Sequence, residues 1–152
     1  MKQVKLYLTM ILMALMTQTM YQYAQAENIQ KITADRLPAK AKKFIADNFP
    51  GKKATAAEAV KNGNVITLRA NLSDNDTKIE FTKMGDWMSV QCEKGTVPNK
   101  VIPEKILKRT KELYNEGKIG KISKNQAGYE VKLTMGTTIK YNANCTLTEI
   151  IF

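Results

Sequence analysis

Two hydrophobic periods alternate along this chain. Ala41, Phe44, Ile45 and Phe49 recur at helical spacing, with Lys40, Lys42, Lys43 and Asp47 between them. This predicts a helix over 38–48 with an apolar stripe turned inward. Pro38 stands in the first turn, where its missing N–H has no partner to lose, and Pro50-Gly51 is the stop. The period then falls to two. Ile66, Leu68, Ala70 and Leu72 share one face of a strand over 65–72, and Ile79 and Phe81 continue the pattern over 77–83. A last strand is predicted over 87–91. Asn62-Gly63-Asn64 reads as a hairpin turn and implies a preceding strand at 54–61.

The same order recurs further on. A second helix is predicted over 103–114, with Ile102, Ile106, Thr110 and Leu113 on one side and Gly117 as a stop. Strands are predicted at 119–125, 130–135, 137–142 and 147–151, with Val131, Leu133 and Met135 and then Ile139 and Tyr141 facing inward. Residues 37–68 align with 102–133 without a gap at an offset of 65. Leu37-Pro38 falls on Ile102-Pro103, Phe49 on Tyr114, Gly63 on Gly128 and Leu68 on Leu133. After the unmatched residues 71–75 the offset becomes 60, which aligns Ile79 with Ile139, Phe81 with Tyr141 and Trp87 with Leu147. Such self-similarity predicts two units that bury the same positions. The expected fold is α+β: two tandem α-β-β-β-β repeats, an antiparallel sheet with helices packed on one face, either fused into one layer or left as two. The expected divisions are 1–26 leader, 27–36 N-terminal segment, 37–92 first repeat, 93–101 linker and 102–152 second repeat. Arg109-Thr110 replaces Phe44-Ile45, so the second helix is expected to pack less tightly.

A sheet covered by helices on one side has a face left over. Period two puts Thr67, Arg69, Lys78 and Glu80 on that face from the first half, and Lys132 and Lys140 from the second. These six are the candidate partner-binding face. Trp87, Met88 and Tyr129 are candidates for its rim, with core packing the competing reading for Trp87, whose counterpart is Leu147.

The run Leu37-Pro38…Phe44-Ile45…Phe49-Pro50-Gly51, a glycine turn, an alternating strand and then Lys78-Ile79-Glu80-Phe81…Gly85-Asp86-Trp87 resembles the PepSY-like family of exported bacterial proteins. The second half keeps Ile102-Pro103, Gly128-Tyr129-Glu130-Val131, Ile139-Lys140-Tyr141 and Leu147. It departs at Arg109-Thr110, at Asn115 and at Cys145, which stands where the first half has Gly85. The resemblance implies a fold like that of beta-lactamase inhibitor protein and a periplasmic or extracellular binding role. Modules of this type are associated with restraining peptidases. It carries over no catalytic residue.

The compartment follows from the first residues. Lys2 and Lys5, the apolar run Leu6 to Met16 and Ala24-Gln25-Ala26 read as a secretory signal peptide cleaved after Ala26. The apolar run is about half the roughly 20 residues that a bilayer span needs, so no transmembrane segment is expected after cleavage. The leader carries two lysines and no acid, so the mature chain keeps +8 of the full chain's +10. A basic balance suggests nucleic acid. Export and the scattering of the lysines argue against it, and an envelope or extracellular protein is the expected partner. Binding of anionic glycan or lipid head groups is the alternative. Cys92 and Cys145 either bridge or stay as free thiols.

The chain has no histidine. That removes the commonest general base and the Ser-His and Cys-His arrangements, and two cysteines alone make no closed zinc site. No glycine-rich phosphate loop is present. No enzyme activity, cofactor or metal is expected. Asp74-Asn75-Asp76 is the one cluster of oxygen ligands, and these residue types favour turns in any case.

Overall fold

Pro38 and Pro103 each stand just ahead of a helix and close its first turn with their carbonyls. Lys42 N donates to Pro38 O at 3.1 Å and Leu107 N to Pro103 O at 2.9 Å. The computed structural model describes residues 28–152, so the signal-peptide reading of 1–26 lies outside the described residues. In chain order the elements are β1 (Asn28–Ile32), a 3-10 turn (Ala34–Arg36), α1 (Ala39–Asn48), β2 (Ala54–Asn62), β3 (Val65–Leu72), β4 (Thr77–Thr82) and β5 (Trp87–Cys92). A second 3-10 turn (Asn99–Val101), α2 (Glu104–Leu113), β6 (Ile119–Asn125), β7 (Gly128–Leu133), β8 (Thr138–Asn142) and β9 (Leu147–Ile151) follow.

The strands form one sheet in sequence order, β1 through β9, with every neighbouring pair antiparallel. This corrects the expected α+β fold of two tandem α-β-β-β-β repeats. The fold is dominated by a single sheet, with two α-helices and 21% helix among the described residues. Two findings carry the correction. Segment 28–32 supplies an extra strand, β1, pairing Ile29 with Val60 and Lys31 with Glu58. β5 pairs with β6 through Ser89–Ser123, Val90–Ile122 and Gln91–Lys121, so the sheet has no interior break. The segment between β5 and α2 is itself packed: Val97 and Val101 are buried, and Val97 N donates to Ile119 O at 2.8 Å.

The core lies between the helices and one face of this sheet. Ala70, Ile79, Val90, Ile122, Val131 and Ile139 stand opposite one another in turn across β3 to β8, all fully buried. Leu37, Ala41, Ile45 and Phe49 from around α1, Ile102 just ahead of α2 and Ile106 within it join the cluster. Phe44 makes an edge contact with Phe81 at 5.9 Å and stacks on Trp87 at 5.9 Å. The α2 side is closed differently. Thr110 and Tyr141 are both buried, and their hydroxyls are 2.9 Å apart. Thr110 stands where the first half has Ile45, and its hydroxyl has a buried partner in Tyr141. Burial pushes the Tyr141 phenol above its ordinary range, with the Thr110 bond opposing that shift. Gly128 has φ of 142°, and a Cβ there would sit 2.1 Å from Tyr141 O, so only glycine fits where β7 meets β8.

Cys92 and Cys145 are free thiols. Cys92 ends β5 and Cys145 lies in the turn after β8, three strands away and at the opposite end of the sheet. With strands about 4.8 Å apart, the lateral offset alone is about 14 Å, beyond the roughly 7 Å that a disulfide spans. Burial pushes the Cys92 thiol up, and the Thr77 hydroxyl is 3.7 Å from its sulfur.

The open face of the sheet as the candidate functional site

Side chains alternate across a strand, so the residues between the core positions point away from the helices. No helix or strand covers this second face among the described residues. One row crosses the entire sheet: Lys31, Glu58, Arg69, Glu80, Ser89, Ser123, Glu130, Lys140 and Glu149 stand opposite one another in turn. A second row beside it carries Asn71, Lys78, Gln91, Lys121, Lys132 and Thr138.

Two side-chain pairs join neighbours within the first row. Arg69 Nε donates to Glu80 at 2.8 Å and Lys140 to Glu149 at 2.8 Å. The bond to Glu149 pushes the Lys140 amine above its usual value. In the second row Lys78 binds Glu93 at 2.5 Å. A hollow of about 370 Å3 lies over β2 to β6, lined by Glu58, Arg69, Asn71, Lys78, Glu80, Ser89, Gln91 and Lys121.

The structure brings Thr67, Arg69, Lys78, Glu80, Lys132 and Lys140 onto this one face. Two of the three rim candidates lie elsewhere. Trp87 points to the helix side, stacked on Phe44, with Lys124 Nζ 4.2 Å above its ring. Burial there pushes the Lys124 amine down. Tyr129 pairs with Tyr141 and packs against the core cluster. Met88 is half-buried beside the irregularity that sets Trp87 opposite Phe81. Glu58, Ser89, Gln91 and Lys121 belong to the face and escape the sequence reading. Ser89, Gln91 and Lys121 were detectable as the polar alternates of Val90 and Ile122. Glu58 sits in an alanine-rich strand with little alternation to read.

The Asp74-Asn75-Asp76 turn is occupied by the chain's own donors. Asp74 accepts from Asp76 N at 3.1 Å, Thr77 N at 3.0 Å, the Thr77 hydroxyl at 2.7 Å and Lys52 Nζ at 2.5 Å. Burial raises this carboxyl, and the bonds from Lys52 and Thr77 more than reverse that, holding it far below the usual carboxylate range. Asp76 accepts from Lys94 N at 2.5 Å and Gly95 N at 3.1 Å, tying the turn to the chain beyond β5. Among the described residues no group of three His, Cys, Asp or Glu side chains is placed to hold a metal, and no helix is long and apolar enough to cross a membrane.

The family described as "Putative beta-lactamase-inhibitor-like, PepSY-like" matches residues 67–149, and this chain belongs to that PepSY-like family. Solved structures with the same architecture include a "putative periplasmic protein from DUF2874 family" of Bacteroides vulgatus. It is 30% identical, with TM-score 0.77, and the match covers 84% of this chain and 99% of that one. A second protein of Bacteroides vulgatus, described as a periplasmic protein of unknown function, is 25% identical over 84% of this chain and all of its own length (100%), with TM-score 0.77. A "putative calcium-regulated periplasmic protein" of Bacteroides thetaiotaomicron is 29% identical over 82% of this chain and 97% of that one, also at TM-score 0.77. A comparison with curated proteins returns no match.

Proposed function

We propose that this chain is an exported, non-enzymatic protein-binding module that restrains a peptidase or another envelope enzyme by laying the open face of its sheet against it. The carrying observation is that face: nine strands wide, uncovered among the described residues, and lined with polar side chains held in register by cross-strand pairing. Rigid strands present such side chains at little ordering cost on binding, which favours affinity from modest contacts. A periplasmic location is supported by the leader-like 1–26 and by the periplasmic descriptions of the three structural relatives.

The test is capture from envelope extract with the mature chain as bait. Lys78→Glu/Lys140→Glu should lose the captured enzyme, Lys42→Glu/Lys43→Glu should keep it, and added protein should slow that enzyme's turnover. Retention by the first pair and loss by the second would move the site to the helices.

A second reading has its own observation. Lys40, Lys42 and Lys43 on α1 and Lys105, Lys108 and Lys111 on α2 are all exposed, a distribution suited to anionic glycan or lipid head groups. Binding of that kind falls steeply as salt shortens the screening length to about 10 Å and below. Calcium regulation, the description borne by the Bacteroides thetaiotaomicron relative, gains no support from the Asp74-Asn75-Asp76 turn, whose carboxylates already serve backbone N–H groups, Lys52 and Thr77.

A further inference from the structure

Charge on the open face is left uncompensated at one place. Lys121 on β6 and Lys132 on β7 stand directly opposite each other, an arrangement in which like charges destabilise a sheet. Lys78 and Lys140 each hold a carboxylate, whereas neither Lys121 nor Lys132 has one within ion-pair distance among the described residues. The two lysines flank a hollow of about 270 Å3 that Gln91, Glu93, Gly120 and Thr134 also line. Glu93, the acid on that lining, is bound to Lys78. Gly120 keeps the hollow open, since a Cβ there would come within 3.3 Å of Thr134 Cγ2.

We infer that this hollow takes a carboxylate presented by an acidic segment of the partner protein, held between the amines of Lys121 and Lys132. The inference rests on the open face being the docking surface. An acidic segment fits better than an extended anionic surface. Glu58, Glu80, Glu130 and Glu149 occupy the adjoining row, about 7 Å further along the strands, and would repel a continuous sheet of phosphates. A discrete carboxylate in the hollow meets the two lysines and, on the same lining, only Glu93, whose charge Lys78 already offsets. Its arrival also relieves their mutual repulsion, so a pair that costs the free protein stability strengthens the complex.

Fluorescence anisotropy of fluorescein-labelled oligoglutamate with the mature protein tests this. Saturable binding is expected. Lys121→Gln/Lys132→Gln should weaken it about fivefold, the loss of two exposed ion pairs. The same substitution should hold or raise the thermal midpoint, because it removes a like-charge pair. Lys42→Gln/Lys43→Gln should leave binding unchanged. Equal weakening by both pairs would mean that the peptide follows total charge and would overturn the inference. So would a fall in thermal midpoint at Lys121/Lys132, or no binding by the unaltered protein. Phosphatidylglycerol vesicles that bind the protein where oligoglutamate does not would overturn it in favour of a membrane surface. If the peptide results fail while Lys78→Glu/Lys140→Glu still abolishes capture of the enzyme, the inference falls and the open-face reading stands. If capture survives that reversal, the open-face reading falls too.

Discussion

The two faces of this sheet are built from residues one step apart and have opposite economies. Ala70, Ile79, Val90, Ile122, Val131 and Ile139 make a dry row beneath the helices. Their immediate chain neighbours Arg69, Glu80, Ser123, Glu130 and Lys140 make a wet one on the other side, with Ser89 buried among them. The dry row carries stability through burial, roughly 25 cal/mol per Å2 of apolar surface. The wet row contributes little, because exposed ion pairs are worth about 0–1 kcal/mol each. A face that contributes little to folding is free to be shaped by recognition, and the difference in what each face tolerates is measurable.

The largest contrast should come from the dry row. Ile122→Ala removes a fully buried side chain at the β5–β6 junction and should cost about 4 kcal/mol, read as a fall in the denaturant midpoint. A loss of under about 1 kcal/mol would show that the junction between the two halves of the sheet is slack.

At the margin of the dry face, Asp74 holds the turn whose next residue, Thr77, is buried against Cys92. Asp74→Ala should cost about 2 kcal/mol, because it frees two backbone N–H groups and the Thr77 hydroxyl. The folded carboxyl titrates below its unfolded value, so its contribution is fully present above about pH 4. It is lost as pH falls further toward the depressed folded value. Unfolding followed between neutral and acid pH should show the variant and the parent converging at the acid end.

A smaller effect separates the two helix contacts. Thr110→Val or Tyr141→Phe alone should cost about 1 kcal/mol by leaving one buried hydroxyl without its partner. The double substitution should recover most of that loss, since the first half has the apolar Ile45 and Phe81, both buried, at the equivalent positions. Additive losses in the double-mutant cycle would show that the hydroxyl pair is not a unit.

The smallest effect belongs to the wet row. Arg69 and Glu80 are 36% and 41% exposed as side chains, so Arg69→Ala should move stability by only about 0.5 kcal/mol. A loss comparable with that at Ile122 would erase the distinction between the faces.

The dry face was legible because period two is a local signal. Leu68, Ala70, Leu72, Ile79, Phe81, Val131, Leu133, Ile139 and Tyr141 are buried on the side their spacing predicts. Met135 was misread as a strand residue. β7 ends at Leu133, where Gly136 N donates back to Leu133 O in the hairpin turn, leaving Met135 66% exposed. β1 was not legible, because Asn-Ile-Gln-Lys-Ile is short and becomes a strand only by pairing with β2. The pattern left one fused layer and two separate layers both open. The Gln91–Lys121 pairing joins residues thirty apart in the chain, and cross-strand register is set by tertiary packing rather than by the pattern within either strand. For the same reason the charged row was visible only as separate residues. Trp87 shows the limit most plainly. Its counterpart Leu147 favours core over anchor without excluding the anchor, and contacts with Phe44 and Lys124, distant in the chain, put it on the helix side.

Site-specific photocrosslinking in the intact envelope shows whether recognition uses the wet face. A benzophenone side chain replacing Gln91, in the middle of the open face, and another replacing Lys43, on the exposed side of α1, report the two surfaces separately. Recognition by the open face gives a discrete protein adduct from position 91 that disappears in the Lys78→Glu/Lys140→Glu background, and none from position 43. An adduct from position 43 alone would contradict it.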